Sequence, residues 1–254
     1  MAKKILVANW KLNPTTPREA KQLFTKIKKQ TSGLKRSEVV IAPPAIWLSL
    51  LDAGQNRQLS LAGQDAFYES AGAFTGRLSS PMFRYAGATH IIIGHSERRL
   101  AGDTDDIINK KIKAALKARL KVIFCFGETE RDSRGEYLTV LKNQIKTGLQ
   151  RIGKDNFKHL IMAYEPVWAI GERAREADTP SDFLHNAIFI KKVLAGIVDR
   201  KTALAIPILY GGSVNKKNIG DFLGDGEADG VLVGRASLDA TEFGAMIKIA
   251  EELK

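Results

Sequence analysis

Residues 90–126 read HIIIGHSERRLAGDTDDIINKKIKAALKARLKVIFCF, and this stretch contains the repeating unit that decides the fold. It opens on one short apolar run, His90–Ile93, and closes on another, Val122–Phe126. Continuous apolar runs of this length are typical of strands buried on both faces of a parallel sheet. Between them, residues 105–119 carry apolar side chains at every third or fourth position, which predicts an amphipathic helix. The stretch therefore predicts a strand–helix–strand unit.

The same alternation continues outward from this unit to both ends of the chain. The predicted strands are Ile5–Asn9, Val39–Ala42, Leu59–Gly63, His90–Ile93, Val122–Phe126, Leu160–Tyr164, Ile206–Tyr210 and Gly230–Val233. The predicted helices are Pro17–Gln30, Asp105–Arg119, Thr139–Ile152, Ser181–Val198 and Ser237–Glu252. Eight strands with crossovers in 254 residues predict an α/β fold, a (β/α)8 TIM barrel. Because no linker or shift in composition interrupts the pattern, we expect residues 1–254 to form a single domain.

The composition is that of a soluble globular protein, with 44% hydrophobic and 26% charged residues. The single cysteine, Cys125, excludes an internal disulfide and favours a reducing, cytoplasmic compartment. The apolar part of the N-terminus is too short for a signal peptide, and no apolar run approaches the roughly 18 residues of a membrane helix. We therefore expect no membrane association.

The formal net charge of +11 requires an interpretation, because it could indicate an anionic partner. The lysines recur at helical spacing, as in the group Lys110, Lys111, Lys113 and Lys117. This pattern indicates the solvated outer faces of amphipathic helices, not a nucleic-acid surface. A basic binding protein that uses the barrel as a scaffold stays as an alternative, and it would bind with an affinity that falls steeply with salt.

In a barrel of this type the active site is built from the loops that follow the strands. Glu165 directly follows a predicted strand and precedes an apolar loop suited to covering a substrate. His95 follows another strand, and Ser96 is expected to cap a short helix there. The positive end of that helix would keep the imidazole neutral and able to donate a hydrogen bond.

Cationic and glycine-rich segments follow other strands at the same end of the barrel. Lys11 follows the first strand, where an ammonium group can hold an anionic substrate. Gly211-Gly212-Ser213 and Gly234 follow the last two strands, where barrels commonly bind phosphate. Because the first strand is not followed by a glycine-rich dinucleotide motif, an open doubly wound sheet is disfavoured.

Four motifs together resemble the triosephosphate isomerase family in order and spacing. They are Asn9-Trp10-Lys11-Leu12-Asn13, Gly94-His95-Ser96-Glu97-Arg98-Arg99, Ala163-Tyr164-Glu165-Pro166-Val167-Trp168-Ala169-Ile170-Gly171 and Tyr210-Gly211-Gly212-Ser213-Val214. The resemblance runs through nearly the whole chain.

The resemblance implies a proton shuttle between dihydroxyacetone phosphate and D-glyceraldehyde 3-phosphate, in glycolysis and gluconeogenesis, without a metal or organic cofactor. It implies that Glu165 is the base, that neutral His95 is the electrophile, and that Glu97 orients Lys11. The catalytic set it implies is Glu165, His95, Lys11, Asn9, Glu97 and Ser96. The implied phosphate ligands are Gly171, Gly212, Ser213, Gly234 and Arg235. It also implies a homodimer, formed through the loop 72–76 with Thr75 and Gly76.

The chain departs from the family pattern at three places. The segment after Gly171 is longer and lacks the usual glycine at its tip, although we expect the loop still to close. Arg235 replaces the second glycine of the usual pair after the last strand. Arg77 stands where the family usually has a glutamate that pairs with Arg98 across the dimer, so we expect a dimer with a substitute contact.

Two other enzymatic interpretations stay open. One is a barrel isomerase for a different phosphosugar, such as phosphoribosylanthranilate. The fold alone does not determine function, so the argument against this alternative comes from the Glu165–His95–Lys11 set. The other is an isomerase whose activity the unusual segment after Gly171 has impaired.

Overall fold

A computed structural model describes residues 3–132, 134–169 and 178–253 of the chain. Eight parallel strands form a closed barrel in which each strand pairs with the next and the last pairs with the first. The strands are β1 (Lys4–Asn9), β2 (Ser37–Ala42), β3 (Leu59–Gly63), β4 (His90–Ile93), β5 (Lys121–Phe126), β6 (Leu160–Tyr164), β7 (Ile208–Tyr210) and β8 (Gly230–Val233). The predicted (β/α)8 fold is confirmed. The single domain over residues 1–254 stays a prediction, which the closed barrel supports.

Helices follow each strand of the barrel. They are α1 (Pro17–Gln30), α2 (Ala45–Leu48), α3 (Ser80–Tyr85), α4 (Ser96–Leu100), α5 (Asp105–Lys117), α6 (Tyr137–Gly148), α7 (Pro180–Ala195), α8 (Arg200–Ala205), α9 (Ile219–Leu223) and α10 (Ala240–Glu252). Three short 3-10 helices span Lys154–His159, Val167–Ala169 and Arg235–Leu238. Four short helices, α2, α3, α8 and α9, were not predicted, because four to six residues are too few to show helical periodicity.

The ends of the longer helices differ from the sequence prediction for local reasons. The last helix begins at Ala240, not Ser237, because the Asp239 side chain accepts hydrogen bonds from the N–H groups of Thr241 and Glu242 and caps it there. The helix α6 ends at Gly148, although apolar residues continue at helical spacing to Ile152. Thr104 and Thr179 cap α5 and α7, since each side chain accepts a hydrogen bond from a backbone N–H in the first turn.

Two layers of buried side chains explain why the strands read as continuous apolar runs. Alternate residues of each strand point into the barrel and fill it. This inner layer comprises Ile5, Val7, Val40, Ala42, Ala62, Ile92, Ile123, Cys125, Ile161, Ala163, Leu209 and Leu232. The intervening residues pack against the helices. The thiol of Cys125 is fully buried and unpaired with another cysteine, as its strand context predicts.

One of the lysines interpreted as solvated is not. The Lys111 side chain is only 2% exposed, because it lies on the same face of α5 as the core residues Ile108, Ile112 and Ala115. Its neighbours Lys110 and Lys117 are exposed as predicted. Among the helices of the described ranges, none is both long and apolar enough to cross a membrane.

Candidate active site

Strand alternation points two polar side chains into the mouth of the barrel. In β1 the inward residues Ile5 and Val7 are followed by Asn9, and in β6 the inward residues Ile161 and Ala163 are followed by Glu165. Both polar residues are buried, Asn9 at 5% and Glu165 at 1% exposure. A buried carboxylate needs compensating hydrogen bonds, and these come from the chain after β4.

The backbone after β4 turns sharply at Gly94, and this turn brings His95 into the mouth. Gly94 has φ +83°, and a Cβ there would lie 2.6 Å from the carbonyl oxygen of Cys125 on the adjacent strand. Only glycine suits both the left-handed conformation and the close approach. The turn leads directly into α4.

The residue that caps α4 is His95, not Ser96 as the sequence predicted. Nδ1 of His95 accepts a hydrogen bond from the backbone N–H of Glu97 over 3.2 Å. The imidazole ring reaches this N–H because it extends over the first turn, whereas Ser96 already lies within the helix. Since Nδ1 acts as an acceptor, the hydrogen-bond network assigns the proton of a neutral ring to Nε2.

The Glu165 carboxylate lies against both residues at the start of α4. Its Oε2 accepts a hydrogen bond from the backbone N–H of Ser96 over 2.8 Å, and its Oε1 lies 3.4 Å from Nε2 of His95. The first N–H groups of a helix are good anion ligands because they have no partner within the helix. The proton-bearing nitrogen of His95 therefore faces a carboxylate oxygen.

Lys11 is fixed at its backbone and at its ammonium group. Its φ of +53° is unusual for a residue with a Cβ, and the conformation is supported by two hydrogen bonds. The Lys11 N–H donates to Oδ1 of Asn9 (3.1 Å), and Nε2 of Gln64 donates to the Lys11 carbonyl oxygen (2.8 Å). Nζ of Lys11 bonds Oε1 of Glu97 over 2.7 Å.

This ion pair keeps Glu97 in its charged form. Partial burial raises the pKa of the Glu97 carboxyl, but the hydrogen bond and positive charge of Lys11 outweigh burial, so the pKa lies below its usual range. Because the Glu97 backbone also binds the His95 ring, one short helix holds both the imidazole and the ammonium group.

The glycine-rich segments lie beside these groups. A Cβ at Gly234 would lie 3.3 Å from Cε of Lys11, and a Cβ at Gly211 would lie 2.9 Å from Cγ of Glu165. At Gly212 a Cβ would collide with the Tyr210 hydroxyl at 2.2 Å. Arg235 is the first residue of a 3-10 helix and has no left-handed φ, so its side chain is compatible with its backbone. Among the predicted glycines, Gly211 after β7 thus lies near Glu165 and Gly234 after β8 lies near Lys11.

Four predicted residues are not joined to this group within the described chain. Gly171 lies outside the described residues, as does most of the loop 166–177. Thr75 and Gly76 are exposed on the loop after β3. The hydroxyl-bearing residue Ser213 is exposed, and its carbonyl oxygen accepts a hydrogen bond from Asn218 (3.0 Å).

A second polar group, around Glu128, was not assigned from the sequence. Glu128 is 1% exposed and accepts hydrogen bonds from the Tyr164 hydroxyl and from Nε1 of Trp168, both 2.8 Å long. The Arg131 guanidinium stacks on the Trp168 ring at 5.3 Å and lies 3.4 Å from Oδ1 of Asp178. Burial raises the pKa of Glu128. The available signal in the sequence was position, since Glu128 comes two residues after the end of β5.

Comparison with known proteins gives a consistent result along the chain. The model of the triosephosphate isomerase family matches residues 4–250. The chain is 42% identical over 255 residues to triosephosphate isomerase of Geotalea uraniireducens, covering 99% of this chain and 100% of that one. It is 41% identical over 251 residues to the Moorella thermoacetica protein of the same name, covering 97% and 98%. The solved structure of triosephosphate isomerase from Bartonella henselae superposes with a TM-score of 0.83 at 32% identity, covering 97% of this chain and 98% of that one.

Proposed function

The chain belongs to the triosephosphate isomerase family, and from this premise we propose how its barrel mouth interconverts dihydroxyacetone phosphate and D-glyceraldehyde 3-phosphate. The activity is that of an intramolecular aldose–ketose isomerase, which serves glycolysis and gluconeogenesis. The chemistry moves one proton between two adjacent carbons, and the carbonyl oxygen becomes an enediolate oxygen on the way.

Glu165 is the proposed base. It removes the proton from the carbon next to the carbonyl and returns it to the neighbouring carbon. The observation that carries this assignment is the 3.4 Å separation between Oε1 of Glu165 and Nε2 of His95, which sets base and electrophile side by side. A substrate that enters between them presents its carbon to the carboxylate and its oxygen to the imidazole.

His95, Lys11 and Asn9 are the proposed stabilisers of the negative charge that develops on oxygen. The Nε2–H of a neutral His95 donates a hydrogen bond to the enediolate oxygen, and Lys11 supplies a positive charge. Glu97 keeps Lys11 in place through their 2.7 Å contact. Ser96 contributes its backbone N–H, which positions the base in the absence of substrate.

The proposed phosphate ligands are Gly171, Gly212, Ser213, Gly234 and Arg235. Support comes from the lack of a Cβ at the glycines beside Lys11 and Glu165, which leaves room for a phosphate to approach the backbone. Closure of the loop 166–177 would exclude water from the enediolate. If inorganic phosphate left the rate of proteolysis within this loop unchanged, closure on phosphate would be refuted.

We propose that the protein is a homodimer, with Thr75 and Gly76 in the interface. Support comes from exposed apolar side chains, since surfaces of this type mark interaction sites. Leu12 is 88%, Ile46 70%, Met82 52% and Phe74 42% exposed in the isolated chain. A monomeric mass in solution at micromolar concentration would refute the dimer. The cytoplasm is the proposed compartment, supported by the reduced thiol of Cys125.

The decisive experiment measures steady-state isomerisation of glyceraldehyde 3-phosphate by the purified parent and by Glu165→Gln. We expect turnover by the parent and a loss of about 10²–10⁴-fold in the variant, the usual contribution of a general base. A folded parent no faster than the variant would overturn the proposed assignment and favour the basic binding protein.

A further inference from the structure

Four charged side chains form a closed cluster beside α4, the helix that His95 caps. Nζ of Lys111 binds both carboxylate oxygens of Asp65, at 2.9 and 2.8 Å, and Oδ2 of Asp103 at 2.5 Å. The Arg98 guanidinium completes the ring, with Nε 3.1 Å from Oδ2 of Asp65 and the second terminal nitrogen 3.3 Å from Oδ1 of Asp103. Each cation therefore contacts both anions.

The cluster is largely withdrawn from water. Side-chain exposure is 2% for Lys111, 8% for Asp103, 22% for Asp65 and 33% for Arg98. Burial raises the pKa of the Asp65 carboxyl, and the nearby ammonium group of Lys111 opposes this effect. Because desolvation cancels much of the attraction in a buried ion pair, such a cluster contributes little net stability and is better suited to fixing geometry.

The cluster lies where two active-site segments meet. Asp65 follows Gln64, whose side-chain amide donates to the carbonyl oxygens of Lys11 (2.8 Å) and Ala42 (2.9 Å). Arg98 lies on α4, one residue after Glu97, whose backbone N–H binds the His95 ring. A carboxylate that holds Arg98 therefore restrains the helix that carries both the imidazole and the partner of Lys11.

We propose that Asp65 is a positioning residue. Its carboxylate bridges Arg98 and the buried Lys111, and in this way it orients His95 and Glu97. The inference rests on the proposed function of these residues. It also explains how the chain tolerates Arg77 in place of a glutamate. Within the chain, Arg77 lies over the Phe67 ring at 5.4 Å, and Arg98 has its anions, Asp65 and Asp103, in its own chain.

The test compares Asp65→Asn, Asp65→Glu and a matched control, Asp106→Asn, in which the lost carboxylate is exposed on α5. We expect kcat of Asp65→Asn to fall by about 10–100-fold, the effect of a slightly misplaced catalytic group, with KM changed by less than about 3-fold. Asp65→Glu should recover part of kcat, and Asp106→Asn should equal the parent.

A mutant cycle with His95→Asn separates positioning from a general structural effect. If Asp65 acts through the α4 groups, most of the kcat loss from Asp65→Asn should disappear in the His95→Asn background. An equal loss in both backgrounds, or a folded Asp65→Asn with the kcat of the parent, would overturn the inference. If Asp65→Asn does not fold, Asp65→Asn/Lys111→Met removes one anion and one cation of the cluster together, and parent-like kcat in that variant would also overturn the inference.

These outcomes are distinct from failure of the proposed function. Absence of isomerisation by the folded parent would refute the proposed function itself. Isomerisation that depends on Glu165 but not on Asp65 would refute only the positioning role.

Discussion

The backbone N–H of Ser96 donates a 2.8 Å hydrogen bond to Oε2 of Glu165, so the start of one short helix holds the proposed base next to the electrophile. A carboxylate oxygen engaged in this bond is not free to accept a proton from carbon. Because Oε2 is held by Ser96 and Oε1 lies 3.4 Å from Nε2 of His95, we expect the Glu165 side chain to shift as substrate enters, and Gly211 leaves room beside it, since a Cβ there would lie 2.9 Å from Cγ of Glu165.

Gly211→Ala should therefore impair the base by steric contact alone. The new Cβ would meet Cγ of Glu165 at 2.9 Å and the carbonyl oxygen of Tyr164 at 3.1 Å. We expect kcat to fall by about 100-fold, because small displacements of a reacting group have effects of this size. Gly153→Ala is the matched control, since its nearest contact would be an ordinary 3.5 Å. Steady-state kinetics that do not distinguish the two variants would contradict the steric explanation.

His95→Asn should separate the two roles of the imidazole. Asparagine is a good N-cap residue, so its oxygen can replace Nδ1 as the acceptor for the Glu97 N–H. It has no donor that reaches the position of Nε2, so we expect kcat to fall by about 10²–10³-fold, as for loss of a donor to a developing oxyanion. The melting temperature should stay close to that of the parent. A large drop in both quantities would mean that the ring is mainly structural.

The barrel could be predicted from the sequence because its strands are buried on both faces, and unbroken apolar runs are a local signal. The candidate site residues were predicted from their position after those strands and from the family resemblance, and their roles stay a proposal. The Lys111 cluster could not be predicted in the same way. Its partner Asp65 lies 46 positions away in the chain, and helical spacing alone does not distinguish a buried lysine from a solvated one.

The capping role of His95 was missed for a related reason. Serine is a strong N-cap residue and histidine is not, so local preference favoured Ser96. The left-handed Gly94 and its contact with the Cys125 carbonyl shift the start of the helix by one residue, and this contact is made only in the folded barrel.

Glu97→Gln should reveal how far Lys11 depends on its ion pair. The amide retains a hydrogen-bond acceptor for Nζ of Lys11 but removes the negative charge that the 2.7 Å contact neutralises. We expect kcat/KM to fall by about 10–100-fold, the usual effect of losing a group that orients a catalytic residue. Competitive inhibition of the parent by inorganic phosphate is measured as the reference for anion binding. An unchanged kcat/KM in Glu97→Gln would exclude an orienting role for the Glu97 charge.

Asp178 should make the stability of the protein depend on pH. Burial raises its pKa to about 7 from 3.8, against the opposing attraction of Arg131, while the like charges of Asp182 and Glu128 raise it further. An acid with a raised pKa in the folded state contributes stability at low pH, and this contribution is lost as pH rises. The loss should therefore extend from about pH 4, where the unfolded chain ionises, to about pH 7, where the folded protein does.

Asp178→Asn removes this titration while it keeps the side chain close in size and still able to accept a bond from Arg131. Each unit of pKa corresponds to about 1.4 kcal/mol, and each kcal/mol to about 2–4 °C of melting temperature in a chain of this size. We therefore expect the variant to gain several degrees over the parent at pH 8 and little at pH 4, with the gap growing between these values. The control is Asp182→Asn, whose carboxylate also faces Arg131 at 3.4 Å but is 41% exposed. If the difference in melting temperature between Asp178→Asn and the parent stayed constant from pH 4 to pH 8, the Asp178 carboxyl would ionise at its ordinary pKa. The attraction of Arg131 would then compensate fully for the burial of this carboxyl.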